Sequence, residues 1–335
     1  MIDLTRHWWP VATVAELDAG KPLARQLHGQ PLVLFRAADG QPAVLPDRCP
    51  HRHAPLSAGR VHNGELACPY HGWRFDGGGR CARVPGLDDG GSRGGLLPPL
   101  ASRIGHGLVW ACATPDADTP EPSPPSIETD VDTFFLVECV HCSAAEAAEN
   151  LLDGSHTHFI HAGWIRRDGH RQDVKAEVRR IGNGIEARYS EEGLQSGLVS
   201  SLLEGSRTES FGRFRLPGVA EIEYRGKHGL NLLATAWLTP EDAERLRVHI
   251  RVATRRGLAP AWLKRIFLHR LFGLILKQDK RILEQTRANQ ARFKTYGPPT
   301  PLLDSPLDLL GASIRRLLAG EAIDTSVDRE IRCRL

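Results

Sequence analysis

The sequence predicts an α+β protein of two domains, in which a small antiparallel β domain precedes a larger domain that combines an antiparallel sheet with helices. The chain has 335 residues, enough for about two domains of ordinary size. Its 33 glycines and 23 prolines favour many turns and short strands over a helical bundle. A proline-rich stretch at residues 113–125 separates two segments of different pattern, which predicts a linker there.

The order of elements gives the predicted domain limits. Residues 31–112 contain short apolar or alternating runs between Gly, Pro and Asp, as in a small antiparallel β domain. Beyond the prolines, strand-like runs surround one helix near 145–161 and precede another near 260–292. We therefore expect a first domain at 1–115, a linker at 116–128 and a second domain at 129–335.

Composition excludes several classes of protein. The formal net charge is +3 and a quarter of the residues are charged, which does not indicate a dedicated nucleic-acid binder. The most apolar stretch, residues 266–276, is interrupted by His269 and Arg270 and is too short to span a bilayer. Seven cysteines without a framework spacing, in a chain without an apolar leader, predict a cytoplasmic protein with no membrane anchor.

The first group of candidate ligands lies in two short loops of the N-terminal domain. The segments Cys49-Pro-His51 and Cys68-Pro-Tyr-His71 each supply one thiol and one imidazole. A structural zinc site more often pairs Cys with Cys and His with His, although zinc stays possible. The mixed loops suit a [2Fe–2S] cluster in which two Cys hold one iron and two His hold the other.

A second group surrounds residues 150–161. On a helix, Asp153 and His156 project about 60° apart, so that one face presents both. His161 lies about 140° from His156, and the two imidazoles meet one metal only if the helix ends or bulges between them. Gly154 and Ser155 are poor helix formers and favour such a distortion.

The third ligand for such a site is expected from the helix near 260–292. There Asp279 projects into an apolar stripe, whereas charged residues occupy the opposite side. A carboxylate on a buried face is costly unless it is paired or bound to metal. Asp279 is therefore a candidate for the carboxylate of a two-histidine, one-carboxylate iron site.

Both motifs together resemble those of the oxygenase components of Rieske non-haem iron oxygenases, of the single-subunit class that includes vanillate and dicamba O-demethylases. The resemblance runs from about residue 7 to 292 and implies a Rieske domain followed by a catalytic domain of the helix-grip type. The matching iron motif is Glu149-x₃-Asp153-x₂-His156-x₄-His161, with Gln278-Asp279-Lys280 as the distal segment.

The resemblance also implies a role for each matched residue. The cluster ligands would be Cys49, His51, Cys68 and His71. The Fe(II) ligands would be His156, His161 and Asp279. Asp153 would bridge to a cluster histidine of the neighbouring subunit in a homotrimer, and Asn150 matches a polar residue near the iron.

The implied activity uses O₂ and electrons from a separate reductase or ferredoxin to hydroxylate or O-/N-demethylate a small aromatic or alicyclic substrate. The main alternative is a Rieske-type electron carrier without oxygenase chemistry, and a zinc-stabilised binding protein is a more remote one. We expect His158 to lie at the surface or beside the ligands. Three residues on strand-like segments are candidates for the substrate pocket: Asn231, Trp237 and His249.

Overall fold

A computed structural model describes most of the chain, in two compact units. The described residues are 3–87, 97–116, 130–166, 169, 171, 173–190, 207–257, 260–293, 309–323 and 328–334. The smaller unit comprises Asp3–Pro125 with Thr239–Ala243, and the larger comprises Met1–Ile2, Ser126–Leu238 and Glu244–Leu335. Apart from Asp116, the predicted linker at 116–128 lies outside the described residues.

The described part of the smaller unit has three antiparallel sheets and one short α-helix. Their strand orders are β1-β10-β9, β2-β3-β4 and β5-β6-β7-β8. The elements are β1 (Trp9–Thr13), α1 (Val14–Leu17), β2 (Leu23–Leu27), β3 (Gln30–Arg36), β4 (Pro42–Pro46), β5 (Arg60–His62), β6 (Glu65–Ala67), β7 (Arg74–Phe75), β8 (Cys81–Arg83), β9 (Ala101–Gly105) and β10 (Leu108–Cys112).

Strand β3 divides the apolar interior of this unit in two, because alternate side chains of a strand point to opposite faces. Val33 and Phe35 pack in the cluster that also contains Cys49 and Cys68. The intervening Leu34 packs in the other cluster, and the side chains at all three positions are fully buried. The apolar run of β3 therefore places one of the two cores directly beneath the Cys-His loops.

Among its described residues, the larger unit has an eight-stranded sheet and three α-helices. Its strand order is β11-β17-β16-β15-β14-β13-β12-β18. The elements are β11 (Val131–Val140), α2 (Ala144–Leu152), β12 (Asp173–Ile181), β13 (Gly184–Ser190), β14 (Arg207–Arg215), β15 (Val219–Gly226), β16 (Gly229–Pro240), β17 (Leu246–Arg255), α3 (Ala261–Arg292), α4 (Gly311–Ala319) and β18 (Arg329–Arg334). This α+β architecture confirms the predicted fold class, and the helix expected near 260–292 is α3.

The helices of the larger unit cover one face of the sheet. Helix α3 packs on β11, and α2 packs on β14, β15 and α4. The buried positions of α3 are Leu268, Leu271, Ile275 and Asp279, whose spacing of three and four residues defines one helical face. Among the helices of the described residues, none combines the length and apolarity needed to cross a membrane.

The opposite face of the sheet carries a buried network of ion pairs. Arg213 Nη1 lies 3.2 Å from Glu221 Oε1, and Arg213 also pairs with Glu186 and Glu223. All three carboxylates are buried, and Thr235 donates a 2.9 Å hydrogen bond to Glu221. Because neighbouring residues of a strand alternate between faces, this charge stays separate from the apolar face under the helices.

Candidate active site

The candidate ligands at 156 and 161 lie in a loop that begins where α2 ends. Ser143 and Glu146 form a capping box at the start of α2, whose last residue is Leu152. Asp153 has an extended backbone (ψ 109°), and its Oδ1 accepts a 2.7 Å hydrogen bond from the Ser155 amide. The prediction of one helix over 145–161 is therefore wrong, because Asp153 forms a local turn that competes with the helix.

This early end of the helix brings three predicted ligands together. His156 Nε2 lies 3.3 Å from His161 Nε2 and 3.4 Å from Asp279 Oδ1. His161 Nε2 lies 3.0 Å from the same carboxylate oxygen. Two loop residues and one residue of α3 thus present three potential ligand atoms to one point, and their role as metal ligands stays a prediction.

Each imidazole is oriented through its other ring nitrogen. His156 Nδ1 donates to the backbone oxygen of Asp153 at 2.6 Å, and His161 Nδ1 donates to Gln278 Oε1 at 2.8 Å. With the proton on Nδ1, each Nε2 directs a lone pair toward the shared point. Hydrogen bonds of this kind fix the tautomer of metal-binding histidines.

Electrostatics at this point favour a bound cation. Burial by itself raises the pKa of Asp279, but His156, His161 and the Asn150 side chain outweigh it and lower that pKa to about 2. Burial lowers the pKa of His156, whereas the carboxylates of Asp279 and Asp153 raise it, and the net shift is upward. The site therefore contains an ionised carboxylate beside two oriented imidazoles.

The donor set fits a mononuclear non-haem iron. Asp279 Oδ1 is buried and, within the described part of the chain, accepts no well-oriented hydrogen bond although two Nε2 atoms lie within 3.4 Å. Three lone-pair atoms so close together repel one another unless they share a cation. Two histidines and one carboxylate with open positions form the ligand set of non-haem Fe(II) oxygenases.

Two further predicted residues flank this group. The Asp153 side chain is about one-third exposed, and its Oδ2 lies 3.9 Å from His156 Nδ1. Asn150 lies on the last turn of α2 and contributes to the low pKa of Asp279. Asp153 thus lies between solvent and a ligand imidazole, and Asn150 lies beside the ligand carboxylate.

The four candidate cluster residues lie on two loops of the smaller unit. Cys49 and Cys68 are buried, whereas His51 and His71 are exposed. The imidazole rings of the two histidines are 4.7 Å apart, and the His51 ring stacks on Trp73 at 4.8 Å. Burial is the main cause of the raised pKa of Cys49, and the neighbouring Cys68 thiol raises it further. Two thiols inside and two imidazoles outside match the donor set of a Rieske cluster.

Both loops are closed by backbone hydrogen bonds. Cys49 N donates to Ala54 O at 2.9 Å, and Cys68 N donates to Trp73 O at 2.8 Å. Gly72 has a φ of +69°, a conformation that favours glycine. The first residue of each Cys-His pair is therefore fixed by a turn of its own loop.

A cavity of about 140 Å³ adjoins the iron ligands in the larger unit. His156, His161 and Asp279 form part of its wall. Most of the remaining wall is apolar and comes from β11, α2, β15, β16, β17 and α3: Leu136, Leu151, Leu152, Ala220, Ile222, Leu232, Ala234, Ala236, Ile250, Phe272, Ile275 and Leu276. The group thus opens onto a space that an apolar ring can enter.

Three pocket candidates from the sequence do not line this cavity. On β16 the lining side chains are Leu232, Ala234 and Ala236, and neither Asn231 nor Trp237 is part of the wall. On β17, Ile250 lines the cavity and the adjacent His249 does not. The expectation is wrong because it selected polar and aromatic residues without regard to which face of the sheet each strand position occupies.

Other differences concern residues near the ligands. His158 is 2% exposed, so the surface position is wrong; it is a buried residue within the loop that carries His156 and His161. Sequence reasoning noted Gln278 only as part of the distal motif and missed its hydrogen bond to His161. It also missed Arg166, a buried residue of the cavity wall. The position of Gln278 directly before Asp279 was the available clue to its role.

Comparison with known protein families identifies both parts of the chain. Residues 7–100 match the model of the Rieske [2Fe-2S] domain. Residues 140–322, more than half of the chain, match the vanillate O-demethylase oxygenase C-terminal domain. These segments contain all the candidate cluster and iron ligands.

Curated relatives include oxygenases of several kinds. The dicamba O-demethylase oxygenase component of Stenotrophomonas maltophilia is 34% identical over 213 residues, which cover 61% of this chain and 61% of that protein. Chlorophyllide a oxygenase of Chlamydomonas reinhardtii is 34% identical over 165 residues, which cover 49% of this chain and 25% of that protein. These alignments thus span from a quarter to about three-fifths of each relative.

A solved structure shares the fold over nearly the whole chain. Dicamba monooxygenase bound to dicamba superposes with a TM-score of 0.77 at 24% identity, covering 93% of this chain and 96% of that one. The shared architecture agrees with the two family matches and with the donor sets of the two sites. The chain therefore belongs to the Rieske non-haem iron oxygenases, with a Rieske domain followed by a catalytic domain of the vanillate O-demethylase type.

Proposed function

We propose that this protein is a terminal oxygenase that uses O₂ and electrons from a separate reductase or ferredoxin to hydroxylate or O-/N-demethylate a small organic substrate. The observation that carries the proposal is the group formed by His156, His161 and Asp279 at the wall of an apolar cavity. A protein that only transfers electrons has no use for a second metal site beside a ligand-sized space. The geometry therefore favours the oxygenase over the electron carrier.

The metal ligands follow from the two donor sets. The proposed cluster ligands are Cys49, His51, Cys68 and His71. The proposed Fe(II) ligands are His156, His161 and Asp279. When bound, the cluster supplies electrons one at a time, and the Fe(II) supplies open positions for O₂ activation. Asn150 has an assisting role, since it stabilises the charge of Asp279. The protein orients the substrate and excludes side reactions.

The size of the cavity supports a substrate with one ring. A comparable apolar cavity of about 150 Å³ in another protein holds benzene. At about 140 Å³, the cavity suits one ring with small substituents. An aromatic or alicyclic ring bearing a methoxy or N-methyl group is the proposed substrate class.

We infer a homotrimer in which Asp153 bridges to a cluster histidine of the neighbouring subunit. The exposed part of the Asp153 carboxylate and the exposed imidazoles of His51 and His71 are available for such a contact. Phe159 and Trp164, in the same loop as the iron ligands, expose large apolar surfaces, as residues at a subunit interface do before assembly.

The proposal also includes the domain limits and the cellular location of the protein. We propose a cluster domain at 1–115, a linker at 116–128 and a catalytic domain at 129–335. None of the seven cysteines, all of which lie in the described residues, forms a disulfide, which supports a reducing compartment and hence the cytoplasm.

The metal content of the purified protein tests the proposed function. We expect three irons and two acid-labile sulfides per chain, and the dithionite-reduced protein should give the electron paramagnetic resonance signal of a mixed Cys/His cluster. Two irons that do not rise to three on anaerobic addition of Fe(II) would favour the electron carrier. Zinc without a cluster would favour a binding protein.

A further inference from the structure

A row of side chains crosses the sheet at the cavity wall. The row follows directly paired positions on β13, β14, β15 and β16, which are Tyr189, Ser210, Tyr224 and Leu232. All four residues line the cavity. Because directly paired residues of an antiparallel sheet share one face, the row places two phenol groups and one hydroxyl in a mostly apolar wall.

Tyr189 is the member of this row whose hydroxyl has no hydrogen-bond partner in the described part of the chain. The residue is 8% exposed and packs in the apolar core of the larger unit. Its oxygen is nevertheless not fully enclosed by protein atoms. Since the side chain is buried and lines the cavity, the open space beside the oxygen is that of the cavity.

Other polar side chains of the wall already have contacts within the protein. Thr157 Oγ1 donates a 2.8 Å hydrogen bond to Gly154 O. The Arg207 guanidinium lies 4.4 Å from the centroid of the Tyr224 ring. Three polar residues of the wall have further interactions of their own: Arg166, Ser210 and Tyr224. Among the described residues of the wall, the Tyr189 hydroxyl is therefore the group best placed to bind a ligand.

The Tyr189 hydroxyl is a neutral donor. Burial is the main cause of the raised pKa of Tyr189, so the phenol keeps its proton. A protonated phenol offers one O–H group to an acceptor. One neutral donor in an apolar wall suits a neutral acceptor, because a charged group loses more hydration on burial and needs further partners. A carbonyl oxygen is an acceptor of this kind.

We propose that Tyr189 determines specificity by donating a hydrogen bond to a carbonyl oxygen on the ring substrate. This inference rests on the proposed function, because it adds a feature to the substrate of the same cavity. A buried donor without a partner costs free energy, and the ligand carbonyl removes that cost. A hydrocarbon of the same shape leaves the donor unpaired, so the site selects against it.

Two ligands that differ in one group test the proposal. The probes are acetophenone and α-methylstyrene, which share the phenyl ring and the methyl group and differ in C=O against C=CH₂. Their dissociation constants are measured by anaerobic equilibrium dialysis on the iron-loaded protein with its cluster oxidised, so that no turnover occurs. The proteins are wild type, Tyr189→Phe and the control Ser190→Ala. Ser190 follows Tyr189 on β13 and is not part of the cavity wall.

The first readout is the ratio of the two dissociation constants, because a change that affects both probes equally cancels. Tyr189→Phe removes only the oxygen and should reduce the preference for the ketone about 10-fold, as expected for one buried neutral hydrogen bond. Ser190→Ala should keep the wild-type ratio. The second readout is the melting temperature of the ligand-free protein. It should not fall in Tyr189→Phe, because the hydroxyl that is removed has no partner to lose.

Three binding results would overturn the assignment: an unchanged ratio in Tyr189→Phe, an equal change in Ser190→Ala, or no binding of the ketone by wild type. A lower melting temperature of ligand-free Tyr189→Phe would also overturn it, since the hydroxyl would then bond within the protein. Iron and sulfide contents are measured on the same samples. An incorrect oxygenase assignment therefore appears in the metal content, separately from an incorrect role for Tyr189.

Discussion

We expect Gln278 to affect how tightly the site binds its metal, although it is not one of the proposed ligands. It lies directly before Asp279 on α3, and its Oε1 accepts a 2.8 Å hydrogen bond from His161 Nδ1. His161 is 1% exposed, so water cannot easily replace the lost partner. We expect Gln278→Ala to leave the imidazole N–H unpaired and the ring free to turn away from the metal.

The expected loss can be estimated from this one contact. Leaving a buried donor without a partner costs about 1–3 kcal/mol. Removal of such a hydrogen bond behind a metal ligand lowers metal affinity about 10- to 100-fold, or roughly 1.4–2.8 kcal/mol. The two ranges agree, and Gln278→Glu, which keeps an acceptor at the same distance, should lose less than Gln278→Ala.

Competition for Fe(II) measures this effect. Protein that retains its cluster but lacks mononuclear iron is titrated anaerobically with Fe(II) in the presence of a coloured chelator. Gln285→Ala, an exposed position on the same helix, serves as the control and should keep wild-type affinity. Wild-type affinity in Gln278→Ala, or an equal loss in Gln285→Ala, would refute the reasoning.

Three further predictions concern residues with separate roles. Asp279→Asn should reduce iron from three per chain toward two with an unchanged cluster signal, and retention of the third iron would contradict its role as a ligand. Asp153→Asn should keep both metals, because its amide oxygen can still accept the hydrogen bond from Ser155 N. The variant should nevertheless lose steady-state turnover, and normal turnover with a competent reductase would exclude the bridging role. Ser143→Ala removes the cap of α2 and should lower the free energy of unfolding by about 1 kcal/mol in urea titrations; no change would mean that the cap adds nothing.

The sequence grouped the three candidate iron ligands correctly in space but misplaced the backbone that carries two of them. His156, His161 and Asp279 were identifiable because their chemistry is unusual on an apolar helical face or at close spacing. The end of α2 was misplaced because the turn at Asp153 depends on a side chain bonding its own backbone two residues ahead. Helical periodicity carries no information about that local competition.

The substrate cavity was predicted least well. Its lining depends on which face each strand presents, and a shift of one residue exchanges Ala236 for Trp237. The order of eight strands and the packing of α3 on β11 arise from contacts distant in sequence. Residue types alone therefore favoured Asn231 and His249 over the apolar residues that form the wall.

The ligand group joins parts of the chain that are more than a hundred residues apart, since His161 meets Gln278 and Asp279 of α3. Because Asp279 lies on α3, we expect metal affinity to depend on the packing of α3 on β11. If α3 does not pack there, only the two histidines of the loop remain at the site. A ligand that binds the folded state alone stabilises that state by mass action. Ferrous iron would thus be retained only by chains in which α3 has packed on β11, that is, in which the catalytic domain has finished folding.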